Sequence, residues 1–394
     1  MANDSSELSI PLPSKSLRLS RLSISVFFFI SGFGFSNWAS RIPNIQHQLG
    51  LSEAQLGTIL FVMPMGMLLM MPLTGYLVNR FSSRVMILVG ALVLNALLAV
   101  LGFAATGWQL AFVLFFFGSA RNMLSISVNA QSVELQNLYD RSIISSFHGI
   151  WSIAGFAGAG LGMLMISMGV TPAWHFLIVA LALVVAALGM HPYTVHDKPQ
   201  PPVSHRPAER GSVFVIPDKS LLKFGFMSFS AMAAEGTLYD WSGVYFRKVV
   251  QASESLSAAG FTFFMIAMTL GRFSGDWVVN RLGRRNVLKY SGFLMFAGMF
   301  LAAAFPHPIT ACLGFVMVGF GTSNVVPLVI QIATQNSEGP VGSIITGVTT
   351  IAYFGFLLVP PIVGYLAEAL NLQWSFGMMS LFGLLVVWLV SRVR

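Results

Sequence analysis

Apolar residues in this chain are gathered into long unbroken runs separated by short polar turns. A helix needs about 20 consecutive apolar residues to cross the hydrocarbon core of a bilayer. Twelve stretches meet that need, at 19–40, 54–79, 85–106, 108–131, 143–168, 172–192, 219–246, 255–280, 286–304, 308–333, 342–368 and 372–392. Each predicts a membrane-spanning helix. Residues 1–18 are Ser-rich with Pro11 and Pro13, and predict a disordered tail. Residues 193–218 carry Pro199, Pro201, Pro202, Pro207 and Pro217 among charged residues, and predict a polar linker between two groups of six helices. The first run begins behind Lys15, Arg18 and Arg21 without a small-residue cleavage site, so it reads as a retained helix.

The polar turns repeat. Asn280-Arg281-Leu282-Gly283-Arg284-Arg285 follows the eighth run, and Asn79-Arg80-Phe81-Ser82-Ser83-Arg84 follows the second. Asn79 and Asn280 are 201 residues apart, as are Arg84 and Arg285, which is half of a 394-residue chain. Two copies of one membrane unit are the pattern of a two-fold transporter. Glycines mark close helix packing: Gly149, Gly155, Gly158, Gly160 and Gly162 in the fifth run, and Gly347, Gly355 and Gly364 with Pro360 and Pro361 in the eleventh. Simple packing and a bending role in a rocking machine both fit them.

Composition agrees. Charged residues are 9% of the chain, against about 25% in soluble domains. The net charge of +8 does not point to nucleic acid, because of where the charges fall. With the N-terminus inside, 17 of the 22 Lys and Arg lie on the inner side, and Arg41, Arg247 and Lys248 lie outside. The positive-inside rule then places both termini and the linker in the cytoplasm, with the chain in the inner (plasma) membrane. Arg121 and Arg272 fall within helices. The single cysteine, Cys312, rules out an intrachain disulfide. No phosphate loop or Cys/His metal spacing is present; no cofactor is expected and soluble-enzyme chemistry is excluded.

Two six-helix halves, a polar linker and a basic turn after helices two and eight resemble the major facilitator superfamily. That family's turn reads Gly-x-Leu-a-Asp-Arg-x-Gly-Arg-Lys/Arg. Gly75, Leu77, Arg80 and Arg84 match it in the first half; Arg281, Gly283, Arg284 and Arg285 match in the second. Asn79 and Asn280 stand in place of the Asp, Ser82 in place of the second Gly, and Asp276 in place of the first. The resemblance implies an all-α membrane protein with twelve transmembrane helices in two pseudo-symmetric bundles. It also implies a charge lock at this cytoplasmic motif, for which the Asp is missing. Glu235-Gly236 with Asp240-Trp241, and His148-Gly149, resemble the branch around the fucose–proton symporters. Asn129 matches that branch's helix four, where Ser125 replaces a carboxylate. The Gly-x-x-x-Gly-Pro run of drug exporters is absent from residues 149–162.

An ionisable group in hydrocarbon costs a few kcal/mol, so each needs a partner or a task. Glu235 is 12 residues from both Lys223 and Arg247, about 18 Å from each end of a helix and so near the midplane. It reads as a proton carrier or a paired structural carboxylate. Asp240 and His148 are the other proton-coupling candidates; Asp240 also reads as an interface residue, and His148 as a core histidine. Arg121 meets no acidic residue in a first-half helix before Glu134. It reads as a substrate anchor or as the partner of Glu235. Arg272 and Asp276 sit at i and i+4 and are expected to pair with each other. Asn129, Gln131, Trp151, Asn324, Gln331 and Tyr353 suit sugar hydroxyls and ring faces, or interhelical hydrogen bonds. Asn37-Trp38 and Asp240-Trp241 form a repeated polar–Trp pair and predict an outer gate.

The expected function is secondary transport of a small polar solute, a sugar or sugar acid, by proton-coupled symport and alternating access. The expected partners are the lipid bilayer, the substrate and protons, with the protein a monomer. A drug or metabolite exporter, a transport-dead sensor and, more distantly, a membrane-embedded enzyme remain as alternatives.

Overall fold

The structure, a computed structural model, describes residues 14–140, 143–196, 219–337 and 341–392. Most of the linker lies outside these residues, as do Arg141 and residues 1–13. The first half comprises α1 (Ser14–Gln48), α2 (Glu53–Phe81), α3 (Ser83–Leu101), α4 (Gly107–Gln136), α5 (Ile144–Ser167) and α6 (Pro172–Met190). The second comprises α7 (Lys219–Lys248), α8 (Ala259–Leu282), α9 (Arg284–Ala304), α10 (Pro308–Thr322), α11 (Val325–Asn336), α12 (Val341–Ala369) and α13 (Leu372–Ser391). The described residues contain no strand. Two corrections concern boundaries. The first helix begins at Ser14, inside the stretch expected to be disordered. The tenth span is broken at Ser323-Asn324 into α10 and α11.

The helix ends follow local chemistry. Ser52 and Gln55 form a reciprocal capping box at the start of α2, and the Asn371 side chain accepts from Trp374 N at the start of α13. Pro172 and Pro308 occupy first helical positions, where a missing N–H costs nothing. α12 runs without interruption through Pro360 and Pro361.

The two halves pack alike. α1 lies on α5, α2 on α4, and α3 on α4 and α6; in the same way α7 lies on α12, α8 on α10, and α9 on α10 and α13. The repeated turns carry the same symmetry to single residues. Ser82 has φ 78° and ψ 153°, and Gly283, 201 positions later, has φ 78° and ψ 149°. Arg84 donates to Pro192 O (3.3 Å) and Thr194 O (3.4 Å) just past the end of α6. Arg285 donates to Ser391 O (3.3 Å) at the end of α13. Each guanidinium thus satisfies carbonyls at the end of a neighbouring helix. Arg80 lies over the ring of Tyr76, and Arg281 over that of Trp277.

Among the described residues, eleven helices, counting α10–α11 as one, are long and apolar enough to cross a membrane. α7 falls short of that apolarity despite its 30 residues. It packs against α12, α13, α11 and α1, and most of its side chains from Phe224 to Phe246 are buried.

The halves meet along α2 with α12, α5 with α8, and α1 with α7. At the first crossing, a Cβ on Gly57 would lie 2.5 Å from Pro360 O, and one on Gly364 2.6 Å from Glu53 O. Only hydrogen fits at either place.

Candidate functional site

A cavity of about 1400 Å³ lies between the halves. α1, α2, α4 and α5 line one side; α7, α8, α12 and the α10–α11 break line the other. Its wall runs from Arg121, Glu235 and Asp240 down to Tyr76, Ser146, Asp276 and Thr346, near the ends of α2, α5, α8 and α12 on the face that carries the chain termini. The opposite face is closed. There Lys248 pairs with Glu53, Asn44 Nδ2 donates to Glu254 Oε1 (2.6 Å), Arg247 donates to Pro43 O (3.3 Å), and the hydroxyls of Thr58 and Tyr365 are 3.1 Å apart.

α7 supplies the two deeper carboxylates, Glu235 and Asp240. Glu235 Oε1 accepts from Tyr239 Oη at 2.9 Å, one helical turn on, and lies 3.7 Å from Arg272 Nη2. Arg272 Nη1 donates to Ser152 Oγ at 3.0 Å, and its guanidinium lies 5.6 Å from the Trp151 ring centroid. Ser152 belongs to α5 and Arg272 to α8, so this one side chain joins Glu235 to the other half. The expected Arg272–Asp276 pair is therefore corrected. Both residues sit on α8, but Arg272 turns into the cavity towards Glu235, and no ion pair joins it to Asp276 among the described residues. Nor does Arg121 pair with Glu235. Its guanidinium lies 4.0 Å from the Phe35 ring centroid, and its polar contact is with Met67 Sδ at 3.5 Å.

Of the other expected residues, Asn129, His148, Trp151, Asp240, Asn324 and Tyr353 line the cavity. Asn129 Nδ2 is held by Ser125 O (2.7 Å), and Asn324 Nδ2 by Gly271 O (2.8 Å), which fixes the helix break against α8. His148 lies T-shaped against the Phe28 ring, with centroids 5.4 Å apart.

Gln131 does not reach the cavity. It donates to Ser83 Oγ (2.8 Å) and Val195 O (3.1 Å) and accepts from Val195 N (2.9 Å), tying the segment after α6 to α3. Gln331 lies instead beside Asp276, Asn280 and Arg284 in a smaller crevice on the terminal face. Asn37 faces its own half, where Asn37 Oδ1 is 2.7 Å from His175 Nε2 and Arg41 Nε donates to His175 Nδ1 (3.0 Å). Trp38 packs on Phe176, and Trp241 is fully buried. The contacts that close the face opposite the termini lie one to three turns beyond these residues. In the basic turns Asn79 and Asn280 are exposed.

Three site residues escaped the sequence reading. Tyr239 is four residues after Glu235, a spacing that signals contact on one helix face. Asn122 adjoins Arg121, lines the cavity, and keeps a buried Oδ1 without a partner. Ser152 carried no signal, because nothing in sequence announces which hydroxyl an arginine on another helix will find.

The sequence profile of the Major Facilitator Superfamily matches residues 24–346 and 226–394. The chain belongs to the major facilitator superfamily. It is 32% identical over 361 residues to an uncharacterized MFS-type transporter of Yersinia pestis, covering 92% of each chain. Among solved structures it superposes on a mutant of the nucleoside transporter NupG with a TM-score of 0.77 at 14% identity, over 95% of this chain and 99% of that one. It also superposes on a bacterial homologue of the human lysosomal transporter Spinster, solved inward-facing and occupied. That match has a TM-score of 0.71 at 14% identity, over 97% and 98% of the two chains. Like other major facilitator proteins, it is a secondary transporter and not an enzyme. The cavity between its halves is the place where such a transporter holds its solute.

Proposed function

We propose that the protein carries a small polar solute, a sugar or sugar acid, by proton-coupled symport through alternating access. It would act as a monomer in the inner membrane, with termini and linker cytoplasmic and the cavity facing inward. The observation that carries the proposal is the chain of contacts Tyr239–Glu235–Arg272–Ser152, which runs from the cavity carboxylate into the opposite half.

Its chemistry supplies coupling. Ionised Glu235 attracts Arg272 across 3.7 Å. Protonated Glu235 loses that attraction, leaving Arg272 to the Ser152 hydroxyl and the Trp151 face. The charge on Glu235 thus sets how α8 is held against α5, and the direction the cavity faces follows from how the halves are held. A hydroxyl-rich solute suits a wall of amides and rings: Asn122, Asn129, Asn324, Trp151 and Tyr353. The nucleosides named for NupG are likewise small hydroxylated solutes. The cavity lies within a single chain, so no second copy is needed to complete it.

Glu235→Gln imitates the protonated form at nearly the same size. In proteoliposomes it is expected to lose accumulation driven by a pH gradient while keeping substrate exchange. Uphill accumulation at the wild-type level would remove Glu235 as the carrier and pass the role to Asp240 or His148.

A further inference from the structure

We infer that the substrate is a monovalent polyhydroxy carboxylate, its carboxylate forked on Arg121 and a hydroxyl on the amide of Asn129, carried with one proton so that no net charge crosses. The proton half of this rests on the reading of Glu235 given above; the anchor does not.

The cavity holds two guanidiniums in different circumstances. Arg272 has a carboxylate at 3.7 Å and a hydroxyl at 3.0 Å. Arg121 has no carboxylate oxygen within 4.0 Å among the described residues, and its polar contact is a thioether. A guanidinium at membrane depth with only sulfur to bond is a site awaiting an anion. Its central carbon lies 4.0 Å from the centroid of the Phe35 ring, and the polar contact engages Nη1 alone. A fork of parallel N–H groups matches a carboxylate. Asn122, the next residue, keeps its Oδ1 buried without a donor, and Asn129, two turns further along α4, commits only its Nδ2. The Oδ1 of Asn129 therefore offers an acceptor to a solute hydroxyl, about 12 Å along α4 from the anion site.

Charge counting selects the valence. The titratable groups facing the cavity are Tyr76 from α2, Arg121 from α4, His148 from α5, Glu235, Tyr239 and Asp240 from α7, Arg272 and Asp276 from α8, and Tyr353 from α12. His148 and Asp276 lie nearer the mouth. Deeper in, two guanidiniums face two carboxylates, and the sum is zero when both carboxylates are ionised. Asp240 makes no ion pair among the described residues, although its field reaches Arg121. A neutral sugar loaded with a proton would leave one positive charge to carry through hydrocarbon. A monocarboxylate with a proton restores zero, the cheapest state to enclose.

The test uses purified full-length protein and a defined panel: D-gluconate, D-galactonate, D-glucuronate and D-galacturonate against D-glucose, D-galactose and glucose 6-phosphate. At least one acid is expected to raise the melting temperature, and the neutral sugars none. Arg121→Lys keeps the charge but not the fork and is expected to weaken that acid at least tenfold. Arg121→Gln is expected to abolish binding while still melting cooperatively. In proteoliposomes the acid should accumulate under an outside-acid gradient. It should not respond to an inside-negative potential set with potassium and valinomycin.

Binding of a neutral sugar undiminished in Arg121→Gln, binding of glucose 6-phosphate alone, or no binding by any acid would overturn the anchor. Uptake of the acid driven by potential would overturn the charge balance. Arg121-dependent binding without any response to the pH gradient would leave the anchor standing and remove the proton.

Discussion

Ser82 and Gly283 hold the same backbone conformation, in a region that only glycine enters without strain, at a cost of order 1–3 kcal/mol for other residues. Ser82 bears that strain with one long compensating bond, from Val85 N at 3.4 Å. Gly283→Ala is therefore expected to destabilise by about 1–3 kcal/mol, and Ser82→Gly to stabilise by about 1 kcal/mol, the strain outweighing the cap. Thermal unfolding in one detergent, run side by side, checks both signs. The equivalence was visible in sequence as a 201-residue offset, because a turn's glycine and its basic residues are local signals. The partners of single side chains were less legible. Spacing placed Arg272 with Asp276, yet an i,i+4 pair is worth only a few tenths of a kcal/mol. A buried carboxylate facing the same cavity from α7 outbids it. Asn37 was misplaced for a similar reason: His175 and Arg41 lie on the inner side of its helix, and sequence does not say which way a helix is turned.

At the scale of elements, the crossing of α2 and α12 depends on Gly57 and Gly364, where backbone meets backbone. Gly57→Leu would drive a side chain into Pro360 O and prop the closed face apart. The expected outcome is a shift of population towards the state open on that face. A cysteine at Thr350, in a background with Cys312→Ser, should then react faster with a membrane-impermeant thiol reagent applied from that side. An unchanged rate would mean that α12 yields without opening. The helices themselves were legible because a run of some 20 apolar residues has few other fates in a bilayer. The break at Ser323-Asn324 was not. An Asn within a helix is an ordinary residue until its amide finds a carbonyl elsewhere, here Gly271 O on α8. Packing and bending both fitted the prolines at 360 and 361, and α12 runs through them without interruption.

At the scale of the molecule, the closed face is held by a few polar contacts and by tight crossings. Lys248 and Glu53 are part exposed, 42% and 21% for the side chains, and such pairs contribute about 0–1 kcal/mol. Glu53→Gln is therefore expected to leave the balance between conformations within about a factor of five, far less than Gly57→Leu. The same labelling assay reports it. Orientation was read from the distribution of Lys and Arg. Reporter fusions near His205 and Ala252 check it: a cytoplasmic signal is expected from the first and a periplasmic signal from the second. A periplasmic signal at His205 would invert the molecule.

The shortfall in apolarity of α7 has a consequence for how the chain is made. Its carboxylates line the finished cavity, but they are carried by a segment emerging from the ribosome before α8–α13 exist. An acidic residue at the centre of a span costs about 2.5–3.5 kcal/mol on the insertion scale, so α7 is a poor substrate for the translocon by itself. Its polar face has to be accepted by helices already in place, α1 first among them. The first bundle then serves as a scaffold for biogenesis as well as half of a carrier. A gene fragment encoding residues 219–394 alone should leave α7 outside the bilayer, and coexpression of residues 1–218 should bring it in.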